Sequence, residues 1–188
     1  LVRNRALFLD RDGVLNHLVH RDGGFYSPRT VSEFHLKDDA AESIAEGKRL
    51  GFLYIVISNQ PDVSRGKMSA KELLKITDFM TSSLDLDDVI YCTHDDDNDT
   101  GCRKPEPGMF LQAKDKWKID LANSFMVGDT WKDLEAAKRA GVTPLLINAD
   151  YNKNLDAEYR VENLLSAIRL IDKLVYEQHQ DLKEKKYI

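Results

Sequence analysis

Apolar residues in this chain gather into short, nearly uninterrupted runs: Ala6-Leu7-Phe8-Leu9, Phe52 to Ile57, Asp88 to Cys92, Ser124 to Val127 and Thr143 to Ile147. Runs of this length, apolar on both faces, predict strands of a parallel sheet that is covered by helices. The intervals between them carry helical spacing. Asp38 or Asp39 caps a helix that buries Ala41, Ile44 and Ala45 and stops at Gly51. Ser69 to Glu72 is a capping box with Leu73, Ile76, Met80 and Leu84 behind it. Helices are further predicted from about Met109 to Trp117, and from Lys132 to Arg139 with Gly141 closing it. From Val161, apolar residues at Leu164, Leu165, Ile168, Ile171 and Leu174 mark a last amphipathic helix. Strands alternating with helices predict an α/β fold, a three-layer Rossmann-like parallel sheet.

The polar positions sharpen this picture. Asp10 and Asp12 follow the first strand directly, Ser58-Asn59-Gln60 end the second, and Gly128-Asp129 end the fourth. Lys104 follows the loop after the third. In such sheets ligands bind outside the carboxyl ends of the strands. Two carboxylates two residues apart at the end of a buried strand need a partner to offset repulsion and desolvation. With Asp129 as a third, Asp10, Asp12 and Asp129 can surround one hard cation, and oxygen ligands favour Mg²⁺ over a transition metal. Ser58 adds a hydroxyl, Lys104 an ammonium, and the backbone around Asp12 and Gly13 an anion nest. Such a group suits a phosphoryl substrate, whose transfer is catalysed mainly by positioning and charge stabilisation. The nucleotide-binding pattern GxxxxGK[ST] is absent from the sequence.

The chain has 188 residues, 42% of them hydrophobic, and a net charge of −5. That length fits one domain with a full core, taken here as residues 1–176, with a small flap at about 17–38, a metal-like loop at 92–102 and a charged tail at 177–188. The acidic balance argues against broad nucleic-acid or membrane-surface partners. The sequence has no apolar run near the roughly 18 residues of a membrane span and no signal-peptide core, so a cytoplasmic protein is expected, with a monomer favoured. Two cysteines, Cys92 and Cys102, make a disulfide scaffold unexpected; with His94 between them they suggest a metal. His17, His20 and His35 have no apparent partner and are expected in solvent.

DRDGV (Asp10 to Val14), Ser58, Lys104 and GDTWKD (Gly128 to Asp133) resemble, in order, the signatures of the haloacid dehalogenase (HAD) superfamily of phosphatases. DRDGVLN, SNQPDVSRG (Ser58 to Gly66), the Cys-x-His loop and CRKPEPGM (Cys102 to Met109) are most similar to the subgroup of heptose bisphosphate and histidinol-phosphate phosphatases. The resemblance implies a capless core and a Mg²⁺-dependent phosphatase. Its substrate would be a phosphorylated sugar, D-glycero-D-manno-heptose 1,7-bisphosphate first, with histidinol phosphate the alternative. A silent phosphosugar- or partner-binding module is the reading from another class, which the intact Asp10/Asp12 pair argues against.

Carried onto these positions, the family mechanism makes Asp10 the nucleophile and Asp12 the acid and base. Mg²⁺ would sit on the Asp10 side chain, the Asp12 carbonyl and Asp129. Ser58 and Lys104 would hold phosphoryl oxygens, Asn59, Arg65 and Arg103 would lie near the substrate, and Asp133 would orient these groups. Cys92, His94 and Cys102 resemble the subgroup's structural Zn²⁺ loop, with Thr100 where that loop carries a further cysteine. An Asp from Asp95 to Asp99, or a water, would then complete four ligands.

Overall fold

The structure is a computed structural model describing residues 3–96 and 101–184, with side chains described to residue 180. In chain order the elements are β1 (Ala6–Leu9), β2 (Val19–Arg21), β3 (Gly24–Tyr26), α1 (Ala40–Gly47), β4 (Leu53–Asn59), α2 (Ala70–Ser83) and β5 (Asp88–Cys92). They are followed by α3 (Gly108–Trp117), β6 (Phe125–Gly128), α4 (Trp131–Ala140), β7 (Thr143–Ile147), β8 (Arg160–Val161) and α5 (Leu164–Glu184). Six strands form a parallel sheet in the order β5-β4-β1-β6-β7-β8.

The all-apolar strands follow from burial on both faces. Along β1, Leu7 and Leu9 join a core with Ile44 of α1, Leu73, Ile76 and Met80 of α2, and Ile168 and Ile171 of α5. Ala6 and Phe8 point the other way, onto Phe110 of α3 and Ala136 and Ala137 of α4. The sheet is thus the middle of three layers, as the sequence pattern predicts. The chain leaves β1 to build β4 and β5 on one side and returns to build β6, β7 and β8 on the other. That reversal opens a crevice at the carboxyl end of β1. Pairing of Leu9 with Val56 and with Val127 sets Asp10, Ser58 and Asp129 at neighbouring heights above the sheet.

Several local expectations are corrected. Val161 belongs to β8, a two-residue strand too short to show a period, and α5 begins three residues later. Helix α5 then runs to Glu184, into the segment expected as a tail. The flap contains a β2–β3 hairpin, with Gly24 paired to Arg21. Asp39 precedes α1, but its carboxylate accepts from Leu165 N at 3.3 Å, tying the start of α5 to α1. Ser69 caps α2 by accepting from Glu72 N, while the Glu72 carboxylate turns to Lys75 and to Val31 N. Gly51 closes the short 3-10 turn Lys48–Leu50 that follows α1, and Gly141 closes α4, both in the left-handed conformation.

Candidate active site

Four buried carboxylates, Asp10, Asp12, Asp129 and Asp133, stand with two buried cations, Arg11 and Lys104, at the carboxyl end of β1. Fully ionised, the six carry two uncompensated negative charges, which one divalent cation would balance. Lys104 is the hub. Its ammonium lies 3.1 Å from Asp10 Oδ1 and 2.6 Å from Asp133 Oδ1, and it donates to Ile57 O at 3.0 Å. Burial alone would lower the lysine, but Asp10 and Asp133 hold it above the usual lysine range. Asp133 sits in the first turn of α4 and accepts from Thr130 N and Thr130 Oγ1 through Oδ2, so one carboxylate caps the helix and anchors Lys104. Gly128 makes room for it: a Cβ there would fall 2.2 Å from Asp133 Cβ.

Burial pushes the Asp10 carboxyl up to about 7; Lys104 opposes the shift, and Asp133 and Asp12 add to it. Asp129 is likewise raised by burial and by Asp133 and Asp10. Asp129 Oδ1 is buried with no hydrogen-bond partner among the described residues, and oxygens of Asp10, Asp129 and Asp133 lie within 4.8 Å of one another. An orphaned carboxylate oxygen among mutually repelling acids fits a hard cation. The metal-free protein has a pH dependence to match. Unfolded, Asp10 loses its proton near 3.8; folded, near 7. Metal-free stability therefore falls as pH rises between those values, with the deficit complete above the upper one. Thermal melts are expected to show Mg²⁺ raising Tm more at pH 8 than at pH 5.5; equal shifts would contradict the assignment.

Asp12 is held differently. Burial would raise it, but Arg11 dominates and keeps it below the usual carboxylate range. Arg11, wholly enclosed, donates from Nε and Nη2 to the two Asp12 oxygens at 3.0 Å each. Its guanidinium lies 5.6 Å from the Phe34 ring centre and 5.7 Å from that of Tyr91. Asn16 Nδ2 and Gln60 Nε2 also donate to Asp12, and Gln60 Nε2 reaches Ser58 Oγ at 3.0 Å. Spacing along the chain assigns no role to Arg11, Asn16 or Gln60, although each lies inside one of the motifs DRDGVLN and SNQPDVSRG.

Asp10, Asp12, Ser58, Asn59, Arg103, Lys104 and Asp129 all line one cavity of about 470 Å³. Phe25 and Tyr26 of the hairpin, with Tyr151 beyond β7, form its apolar mouth. The three residues expected near the substrate, Asn59, Arg65 and Arg103, are held in different ways. The Asn59 amide is taken up by Lys104, donating to its carbonyl and accepting from its N–H, both at 3.0 Å. Arg65 is outside the cavity, forked onto Asp95 at 2.5 Å and close to Asp62. Arg103 binds Asp96 through Nε, while its Nη1 is buried without a hydrogen-bond partner among the described residues.

The expected Cys92, His94 and Cys102 trio does come together. In this structure the two sulfurs are joined as a disulfide, with His94 Nδ1 3.6 Å from Cys102 Sγ. Residues 97–99, part of the segment expected to supply the fourth ligand, and Thr100, which stands where the resembled loop carries a cysteine, lie outside the described residues. His17, His20 and His35 are exposed, as expected.

Fold and site together are those of a phosphoric monoester hydrolase. The HAD-hydrolase-like family model matches residues 101–167. D-glycero-β-D-manno-heptose-1,7-bisphosphate 7-phosphatase of Escherichia coli O6:H1 is 33% identical over 93% of this chain and 96% of its own. The enzyme of that name from Vibrio cholerae is 35% identical over 87% and 92%. A D,D-heptose 1,7-bisphosphate phosphatase structure from B. bronchiseptica, complexed with magnesium and phosphate, superposes with TM-score 0.77 at 26% identity, covering 92% of this chain and 99% of that one. The chain belongs to the HAD-like phosphatase family that these enzymes represent.

Proposed function

We propose that the protein is a Mg²⁺-dependent phosphatase that hydrolyses D-glycero-D-manno-heptose 1,7-bisphosphate. The observation that carries the reading is the excess of buried carboxylates around Lys104 at the floor of a cavity with an aromatic mouth. Relatives named for that substrate, similar along nearly the whole chain, support the sugar.

Asp10 and Asp129 side chains with the Asp12 carbonyl would hold Mg²⁺, which when bound supplies Lewis-acid stabilisation of the phosphoryl oxygens. Lys104 and Ser58 present an ammonium and a hydroxyl to the same group. An Asp10 oxygen attacks phosphorus, the bond to the sugar oxygen breaks, and Asp12 delivers a proton to that oxygen, leaving an aspartyl-phosphate. Asp12 then takes a proton from the water that attacks phosphorus, and phosphate leaves with Asp10 restored. The Asp12 seen here, accepting from Arg11, Asn16 and Gln60, is in the base form that the second half requires. Asp133 holds the Lys104 ammonium against Asp10 throughout.

Comparing kcat/KM across heptose bisphosphate, histidinol phosphate and simple hexose phosphates tests the substrate. The bisphosphate is expected to exceed the others by about 100-fold, the scale of discrimination by a few well-placed contacts. Parity with the hexose phosphates would overturn the assignment.

A further inference from the structure

We infer that Tyr151 is a positioning residue for the cation: its hydroxyl fixes the Asp129 carboxylate so that Oδ1 is left to the metal. The inference rests on the reading above that Asp129 is a cation ligand. Beyond β7 the chain makes a tight turn, Asp150–Asn152. Asn152 is buried, and its amide donates to Ile147 O and to Asp129 O, both at 2.8 Å. Arg160 Nη2 donates to Asn152 O at 3.1 Å from the neighbouring strand. The turn is therefore clamped at both ends, and it carries Tyr151 to the Asp129 side chain, where the hydroxyl donates to Oδ2.

Gly13 also lies against that oxygen. A Cβ there would lie 2.0 Å from Asp129 Oδ2 and 3.0 Å from the Tyr151 hydroxyl. Oδ2 is thus contacted by the phenol and crowded by the Gly13 backbone, while Oδ1 is buried with no hydrogen-bond partner among the described residues. The chemistry of the donor matters. A phenol spends one proton on one oxygen and brings no charge, whereas a lysine or arginine in its place would compete with the cation for the carboxylate. The ring itself is about half exposed and packs 6.0 Å from Phe25 of the flap.

The experiment titrates Mg²⁺ alone into the full chain by calorimetry, for wild type, Y151F, F25A and D129N, with metal-free Tm and substrate kinetics alongside. Y151F is expected to weaken Mg²⁺ binding by about tenfold, the lower end for loss of a group that orients a metal ligand. Its metal-free Tm should stay at the wild-type value, and saturating Mg²⁺ should restore most of kcat. F25A, which removes the ring contact and keeps the hydroxyl, should bind Mg²⁺ as wild type does. Wild-type affinity in Y151F overturns the inference while D129N binding is lost. An equal loss in F25A overturns the assignment to the hydroxyl, and undiminished binding by D129N overturns both the inference and the reading of Asp129 beneath it.

Discussion

Asp10→Asn is expected to lower kcat by about 10⁴-fold or more, because the nucleophile of a covalent mechanism has no substitute nearby. Asp12 is bound by Arg11, Asn16 and Gln60, and Asp133 is bound by Lys104 and its own helix end. Neither is free to take over the attack. The same substitution removes a carboxylate that burial, Asp133 and Asp12 together disfavour more than Lys104 favours it, leaving the Lys104–Asp133 pair in place. In EDTA at pH 8 the variant should therefore melt no lower than wild type. Steady-state kinetics with Mg²⁺ and melts without it check both halves. Turnover at the wild-type rate would remove Asp10 as nucleophile.

Lys104→Met should both inactivate and destabilise. The substitution keeps the stem and deletes the ammonium that Asp10 and Asp133 share, two carboxylates that are almost wholly buried. Removing one partner of a buried ionic group costs about 3–5 kcal/mol, which for a chain of this size lowers Tm by roughly 6–20 °C. The loss should be greatest above pH 7, where Asp10 is ionised, and Mg²⁺ should recover part of it. Adding Asp10→Asn should recover some as well, since it removes one of the stranded charges without restoring activity. A Tm unchanged in Lys104→Met would show that the carboxylates are satisfied by something other than Lys104.

Local order was legible because it rests on local rules. Leu7-Phe8-Leu9 and Tyr54 to Ile57 read as strands from their apolar character alone, and Gly51 and Gly141 mark helix ends by backbone preference. A two-residue strand such as β8 has no period to read, and its assignment depends on Leu146 and Ile147 lying alongside. The segment 17–38 reads from the sequence as a small flap, but its aromatic contribution emerges only once Phe25 meets Tyr151.

By itself the sequence determined the alternating fold and the strand ends on which chemistry would gather: Asp10, Asp12, Ser58, Lys104 and Asp129. Those follow from burial, which demands apolar strands, and from the cost of placing carboxylates beside them without a purpose. Only the tertiary structure decided how each group is held. Arg11 faces Asp12 rather than solvent, Gln60 bridges Asp12 and Ser58, Asn59 serves the Lys104 backbone, and Tyr151 grips Asp129 from 22 residues away. It also paired Cys92 with Cys102 across ten positions and turned Arg65 outward to Asp95. A polar side chain's partner is whichever complementary group the fold brings within about 3 Å, a distance set by packing among distant segments and invisible to spacing along the chain.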